Sequence, residues 1–240
     1  MKTDKLFSTP QQLVDFSFDD AVADVFPDML RRSVPGYETI ISMLGVLAKQ
    51  YAQENTNIYD LGSSLGAATL SMHSQTRTMG ITHICIDNSE AMTKRCEARL
   101  SRLMPDTDLK IMCADIETTE IKNASIVVIN FTLQFLDPES RLALLKKIYE
   151  GLLPHGVLIL SEKIIFKDDF EKALQIDLHH TFKSANGYSD LEISQKRAAI
   201  ENVLIPDTFE DHQQRLIEAG FKQSYQWFQS FNFISLLAFK

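Results

Sequence analysis

The chain has 240 residues, of which 45% are hydrophobic and 23% charged, a composition that excludes disorder of the whole chain. Its formal net charge is −8. Because proteins that bind nucleic acid through phosphates usually carry a basic face, we expect no direct contact with tRNA or DNA. No apolar run reaches the roughly 18–20 residues that span a bilayer, and the polar start of the chain does not resemble a signal peptide. We therefore expect a cytoplasmic protein without membrane contact.

The three cysteines follow neither a metal-binding nor a disulfide pattern. No two of them stand in a CxxC pair, which is the spacing of many zinc and redox sites. Cys85 and Cys113 lie in apolar, strand-like runs, which predicts buried free thiols. We expect no metal site.

The predicted elements begin after a polar segment. Residues 1–34 are expected to form an N-terminal arm of one domain that covers 1–240. Over 37–53 the apolar residues recur at helical spacing. Predicted strands and amphipathic helices then alternate, with strands at 57–61, 82–87, 109–115, 125–131 and 156–162 and helices at 66–75, 89–103 and 138–153.

This alternation predicts an α/β, Rossmann-like fold. Strands rich in Val and Ile, separated by helices, form βαβ crossovers and a mostly parallel sheet that is covered on both faces. Residues 163–205 are polar and helix-like, and we expect a helical cap insert there. A helix at 208–219 and two β-prone segments with a short connection close the chain, which predicts an antiparallel C-terminal hairpin at one sheet edge.

A glycine-rich turn in IYDLGSSLGAATL, residues 58–70, is the strongest local signal for a ligand. A strand carries Asp60 near its end, Gly62 and Gly66 allow a tight turn and a close approach of backbone to ligand, and a helix begins. The N-terminus of that helix offers free N–H groups. Ser64 stands where such turns usually have a second glycine, and an ordinary tight turn is the alternative interpretation.

Polar residues also follow the next predicted strands, and the carboxyl ends of parallel strands meet at one edge. Asp87 is placed to accept hydrogen bonds from ribose hydroxyls, and Asp115 from an adenine amine, with Ile116 packed on the ring. Asn130 ends the fourth strand. Each also has an alternative interpretation without a ligand: Asp87 as a helix cap, Asp115 as a loop residue and Asn130 as a turn residue. Their common location favours a nucleoside ligand.

The motifs DLGSSLGAATL, IDNS, ADI, NFTLQFL and GLLPHGVLILSEK resemble those of class I S-adenosylmethionine-dependent methyltransferases. FPDMLRRSVPGY, LHHTFKSANGYSDLEISQKR and WFQSFNF are similar to segments of the carboxy-S-adenosyl-L-methionine synthase family, and the likeness covers nearly the whole chain. The resemblance implies that S-adenosylmethionine and prephenate are converted to carboxy-S-adenosylmethionine and phenylpyruvate. It further implies a homodimer, and a product that passes to a carboxymethyl transferase modifying the wobble uridine of tRNA.

The resemblance also implies the site residues. Arg197 corresponds to the arginine that pairs with the carboxylate of the product, in its own subunit or across a dimer interface, and is the expected catalytic residue. The expected cofactor-binding residues are Tyr37, Gly62, Ser63, Ser64, Asp87, Asn88, Asp115, Ile116, Asn130 and Arg197. The family usually has cysteine where this chain has Ser63, which argues against a thiol nucleophile there.

Four further residues are weaker candidates for a role at the site. Arg31 and Arg32 are candidates for binding the dianionic prephenate, whereas the adjacent His179 and His180 point to different faces of a helix, which favours a structural role. Two alternatives to the synthase stay open: a methyltransferase that acts on tRNA or a small molecule, and a non-catalytic nucleoside-binding subunit. Intact ligand motifs and a complete cap insert argue against the second.

Overall fold

The structure is a computed structural model that describes residues 2–10, 14–77 and 79–240. Within these ranges the strands are β1 Asn57–Leu61, β2 Thr82–Asp87, β3 Asp108–Cys113, β4 Ala124–Asn130, β5 Leu152–Lys163, β6 Gln223–Ser230 and β7 Phe233–Phe239. The helices are α1 Asp20–Ser33, α2 Tyr37–Tyr51, α3 Ala67–Thr76, α4 Glu90–Leu103, α5 Arg141–Gly151, α6 Asp169–Ala185, α7 Asp190–Ile200 and α8 Phe209–Ala219.

The strands form one sheet in the order β3-β2-β1-β4-β5-β7-β6. Neighbours from β3 to β5 are parallel, while β7 is antiparallel to β5 and β6 to β7. The predicted Rossmann-like sheet with a C-terminal antiparallel hairpin is therefore confirmed. The strand order reverses between β1 and β4, which is the place where open α/β sheets bind their ligands.

Both faces of the sheet are covered. On one face Leu144 of α5 and Leu216 of α8 pack against the central strands. On the other, Leu44 of α2 and Met72 of α3 are fully buried against β1 and β4. Helices on both faces explain why β4 is buried continuously from Ala124 to Ile129 rather than at alternate positions, since neither side of that strand meets water.

Several predicted boundaries differ from the structure. Strand β5 begins at Leu152, four residues earlier than predicted, because Leu152 pairs with Ala124 of β4. Helix α5 begins at Arg141 because residues 137–140 form a turn, in which Ser140 N donates to Asp137 O at 3.0 Å.

The prediction of a buried Cys113 is wrong. Cys85 and Cys96 are buried free thiols, but Cys113 is an exposed one. Strand β3 forms the edge of the sheet, and Cys113 is its last residue, so no further strand covers it.

The predicted N-terminal arm contains a helix, α1, that the sequence pattern did not predict. Asp19 caps α1 by accepting a hydrogen bond from Val22 N at 2.9 Å. The apolar face of α1 packs with Met92 of α4 and Ala199 of α7, so this segment connects the nucleoside-binding half to the insert. The division into arm, domain and insert stays a prediction.

Residues 163–205 hold α6 and α7, as the prediction of a helical insert required. A capping box begins α7: Ser189 Oγ accepts from Glu192 N at 3.3 Å, and Glu192 Oε2 accepts from Ser189 N at 2.8 Å. Across the ranges that the structure covers, no helix has both the length and the hydropathy needed to cross a membrane.

Candidate functional site

A cavity of about 660 Å³ lies at the carboxyl ends of the central strands, between the sheet edge and the helical insert. Its volume falls within the usual range for small-molecule sites. The structure brings to this cavity every sequence-predicted site residue except Arg197: Tyr37, Gly62, Ser63, Ser64, Asp87, Asn88, Asp115, Ile116 and Asn130.

The loop after β1 requires glycine at its first position. Gly62 has φ +78°, and a Cβ there would lie 2.1 Å from Thr132 Oγ1. Ser64 also has a positive φ, of 48°, at the position where glycine is usual. The loop is fixed to β2 because Gly62 N and Ser63 N both donate to Ile86 O, at 2.8 and 3.0 Å. Its backbone is therefore held in place before any ligand arrives.

Asp87 joins the two loops that form the floor of the cavity. Its Oδ2 accepts from Ser64 N and its Oδ1 from Ser89 N, both at 2.9 Å. Burial raises the pKa of Asp87, and the two amide hydrogen bonds oppose that rise. Ser89, rather than Asp87, caps α4 by accepting from Met92 N. Asp87 therefore keeps lone pairs for ligand hydroxyls, and helix capping does not explain its presence.

Asp60 and Arg99 are absent from the predicted set but also line the cavity. Asp60 is buried and accepts from Thr69 N and Oγ1, at 3.1 and 2.7 Å. Burial raises its pKa to about 6. Arg99 of α4 donates to Leu65 O at 3.0 Å. Burial also raises the pKa of Tyr37, and the nearby charge of Asp60 adds to the rise. The signal for Asp60 was its place before the glycines, whereas no sequence pattern singles out Arg99.

Two buried polar atoms support the fit of a polar ligand. Ser63 Oγ and Asn130 Oδ1 are buried, and the described part of the chain offers them no hydrogen-bond partner. An unsatisfied buried polar atom costs about 1–3 kcal/mol. Ile116 is buried, while Asp115 is exposed and its Oδ1 accepts from Glu117 N at 2.7 Å. An apolar surface beside an accessible carboxylate suits a nucleobase.

Arg197 lies outside this cavity. It is exposed and lines a smaller neighbouring cavity of about 300 Å³, formed with α6 and the end of β5. The larger cavity instead receives three lysines, Lys163, Lys183 and Lys196. The role expected for Arg197 stays a prediction.

The two arginines considered for prephenate binding, Arg31 and Arg32, have different surroundings. Arg32 is buried, donates from Nε to Asn186 O at 2.8 Å and stacks 3.7 Å above the ring of Tyr188, so it joins the arm to the insert. Arg31 lines the cavity but pairs with Asp28 at 2.9 Å.

The two adjacent histidines occupy different surroundings. His179 Nε2 donates to Ser33 O at 2.8 Å, and burial lowers its pKa to about 2, which agrees with the predicted structural role. His180 lines the smaller cavity. Over residues 2–10, 14–77 and 79–240, no group of three or more His, Cys, Asp or Glu side chains is arranged to hold a metal ion.

Comparison with known proteins identifies the family. The family profile described as "Methyltransferase domain" matches residues 58–156. The carboxy-S-adenosyl-L-methionine synthase of Vibrio campbellii is 56% identical over 238 residues, which cover 99% of this chain and 97% of that protein. Proteins of the same name are 57% identical in Aliivibrio fischeri, over 99% and 98% of the two chains, and 55% identical in a Geobacter species, over 100% and 99%. The chain belongs to the carboxy-S-adenosyl-L-methionine synthase family.

Solved structures agree on the fold of this synthase family member. An O-methyltransferase family protein from Burkholderia thailandensis superimposes with a TM-score of 0.65 at 14% identity, over 93% of this chain and 60% of that one. Human N-acetylserotonin methyltransferase, solved with S-adenosylmethionine, gives 0.60 at 13% identity, over 92% and 55%. At such identities the likeness shows the fold alone. The relatives do not favour the alternative of a tRNA or small-molecule methyltransferase.

Proposed function

We propose that the protein transfers a carboxyl group from prephenate to the methyl group of S-adenosylmethionine, which gives carboxy-S-adenosylmethionine and phenylpyruvate. The observation that carries the proposal is the extent of the likeness to proteins named for this product. Identity of 54–57% runs over nearly the whole chain, through the insert as well as the nucleoside-binding half. An ordinary methyltransferase would need to resemble these relatives only in the nucleoside-binding half.

The chemistry asks little acid–base work of the protein. Prephenate loses carbon dioxide and hydroxide, and its ring becomes aromatic. The sulfonium makes the methyl protons acidic, so that one of them combines with the hydroxide as water and the methyl carbon bonds to carbon dioxide. The protein must hold both substrates together and exclude water. A cavity that lies under the helical insert suits that task.

An isotope experiment tests this transfer. Prephenate labelled with ¹³C in the ring carboxyl is incubated with the protein and S-adenosylmethionine, and the products are analysed by mass spectrometry. We expect the label in carboxy-S-adenosylmethionine, whereas label in the side-chain carboxyl should appear only in phenylpyruvate. Labelled carbon dioxide released beside unchanged S-adenosylmethionine would refute the transfer.

Arg197 is proposed to bind the new carboxylate of the product. A two-pronged, charge-assisted hydrogen bond contributes about 1.5–3 kcal/mol, so Arg197→Ala is expected to weaken carboxy-S-adenosylmethionine binding about tenfold to a hundredfold. Binding of S-adenosylmethionine, which lacks that carboxylate, should stay within about twofold. Calorimetric titration of both ligands measures the difference, and an unchanged preference would exclude Arg197 from this role.

We also propose a homodimer. Helix α6 exposes Phe170, Leu174 and Leu178 at successive four-residue intervals, and 78% of Phe170 is accessible. Such an apolar stripe favours a contact between subunits. Arg197 of α7, the neighbouring helix, is exposed, which is compatible with a contribution to the partner's site. Light scattering should give twice the chain mass of 27.3 kDa, and a mass of one chain would contradict the dimer.

The cellular role is proposed on the same basis. The product would pass to a carboxymethyl transferase that modifies the wobble uridine of tRNA, and we propose a cytoplasmic location for the protein. The three free thiols fit a reducing compartment. The net charge of −8 supports the expectation that the protein itself does not bind the tRNA.

A further inference from the structure

Four cationic side chains cluster where the two cavities adjoin. Lys163 ends β5 and Lys183 lies on α6, and both line the larger and the smaller cavity. Lys196 of α7 lines only the larger cavity and Arg197 only the smaller. We call Lys163, Lys183, Lys196 and Arg197 the cation cluster.

Only part of the cation cluster is neutralised by the protein. Lys196 Nζ lies 3.4 Å from Asp4 Oδ2 and donates to Ser33 Oγ at 3.1 Å. The ammonium groups of Lys163 and Lys183 have neither an ion-pair nor a hydrogen-bond partner among the residues that the structure describes. Two amines therefore line the cavities without an ion pair to any described residue, although Glu201 also lines the smaller cavity.

The surroundings make this arrangement unfavourable without an anion. Burial lowers the pKa of Lys183 to about 7, and the neighbouring charges of Lys163, Lys196 and Arg197 add to the effect. Burial and Arg197 likewise lower the pKa of Lys163. The nearby His179 and His180 supply no negative charge, because an imidazole side chain is either neutral or positive. A bound carboxylate would favour the charged form of both amines.

Further features of the junction suit an organic acid that carries a ring. Phe131 and Phe233 line the larger cavity, and their rings meet edge to face at 5.8 Å. The junction thus combines aromatic surface with two unpaired amines.

We propose that Lys163 and Lys183 bind the side-chain carboxylate of the carboxyl donor, the one that the 2-oxo acid product retains. The identity of the donor rests on the proposed function. A cation on the ring carboxylate would stabilise a charge that decarboxylation removes, and would therefore slow the reaction. A cation on the retained carboxylate stabilises the ground state and the transition state alike. The two lysines therefore determine affinity for the donor rather than the rate of the chemical step.

Kinetics of single variants test this assignment. Lys183→Met and Lys163→Met are each expected to raise the KM for prephenate about tenfold or more, while kcat and the KM for S-adenosylmethionine change less than about twofold. Lys183→Arg should recover most of the affinity. Lys172→Met is the matched control, because Lys172 lies on the same helix and lines only the smaller cavity. An unchanged KM in both test variants, or an equal rise in the control, would overturn the proposal.

A titration separates this proposal from the proposed function. Phenylpyruvate is titrated into the protein loaded with S-adenosylhomocysteine. We expect the wild type to bind it, Lys183→Met to bind it about tenfold more weakly, and Lys172→Met to bind it as the wild type does. If the wild type shows this binding pattern yet forms no carboxy-S-adenosylmethionine from prephenate, the proposed carboxyl transfer is refuted, while the proposed carboxylate site at Lys163 and Lys183 is supported. If the wild type does not bind phenylpyruvate, or binds it no better than Lys183→Met, the lysine site is refuted even if the function holds.

Discussion

Replacing Asp87 with alanine is expected to weaken S-adenosylmethionine binding about a hundredfold or more. The change removes two carboxylate hydrogen bonds to backbone amides, those of Ser64 N and Ser89 N. Each hydrogen bond to a charged group contributes about 1.5–3 kcal/mol, and the proposed ribose contacts are lost as well. Because Asp87 holds the loop after β1 against the start of α4, both the ligand contact and the shape of the loop are affected.

Isothermal titration calorimetry with S-adenosylmethionine measures this loss. Asp115→Ala serves as the control, since Asp115 is exposed and its loss should cost less than about tenfold. A circular dichroism spectrum of Asp87→Ala like that of the wild type would show that the fold is retained. An affinity within about threefold of the wild type would contradict the placement of the ligand on this loop.

Arg141→Ala is expected to lower the free energy of unfolding by about 3–5 kcal/mol, the cost of removing one partner from a buried ion pair. Arg141 is fully buried, pairs with Asp207 Oδ2 at 2.6 Å and donates to Leu136 O and Ile205 O, both at 2.9 Å. It therefore ties the loop after β4 to the chain that leaves the insert. Without it, Asp207 keeps only Arg215 as an ion-pair partner among the described residues.

The corresponding change in Tm is a decrease of roughly 6–20 °C, from about 2–4 °C per kcal/mol for a domain of this size. Differential scanning calorimetry measures it. Lys94→Ala is the control, because Lys94 forms an exposed ion pair with Glu90 at 2.8 Å, and such pairs contribute less than about 1 kcal/mol. Equal Tm values for Arg141→Ala and the wild type would show that the buried arginine is not needed for stability.

Local sequence signals predicted the nucleoside-binding half well. Strands β1 and β2 begin and end where they were predicted, because glycine or aspartate follows each apolar run and marks its end. The residues at the ends of those strands also meet in one cavity, since parallel strands align their carboxyl ends. Periodicity and turn residues are enough to define this part of the fold.

The sequence was a poor guide where position depends on packing between distant segments. Helix α1 contains Pro27 and many charged residues, so its helical character comes from its contacts with α4 and α7. The cation cluster brings together the end of β5, α6 and α7, which no local motif connects. Cys113 has an apolar neighbourhood in sequence, yet its exposure follows from the position of β3 at the sheet edge.

The mass of the small molecule that co-purifies with the protein tests the central claim most directly. The protein is expressed, purified without added ligand and denatured gently, and the released compound is analysed by mass spectrometry. We expect a compound heavier than S-adenosylmethionine by the mass of one carbon dioxide molecule. Recovery of S-adenosylmethionine or S-adenosylhomocysteine alone, unchanged after incubation with prephenate, would contradict the synthase and indicate ordinary methyl transfer instead.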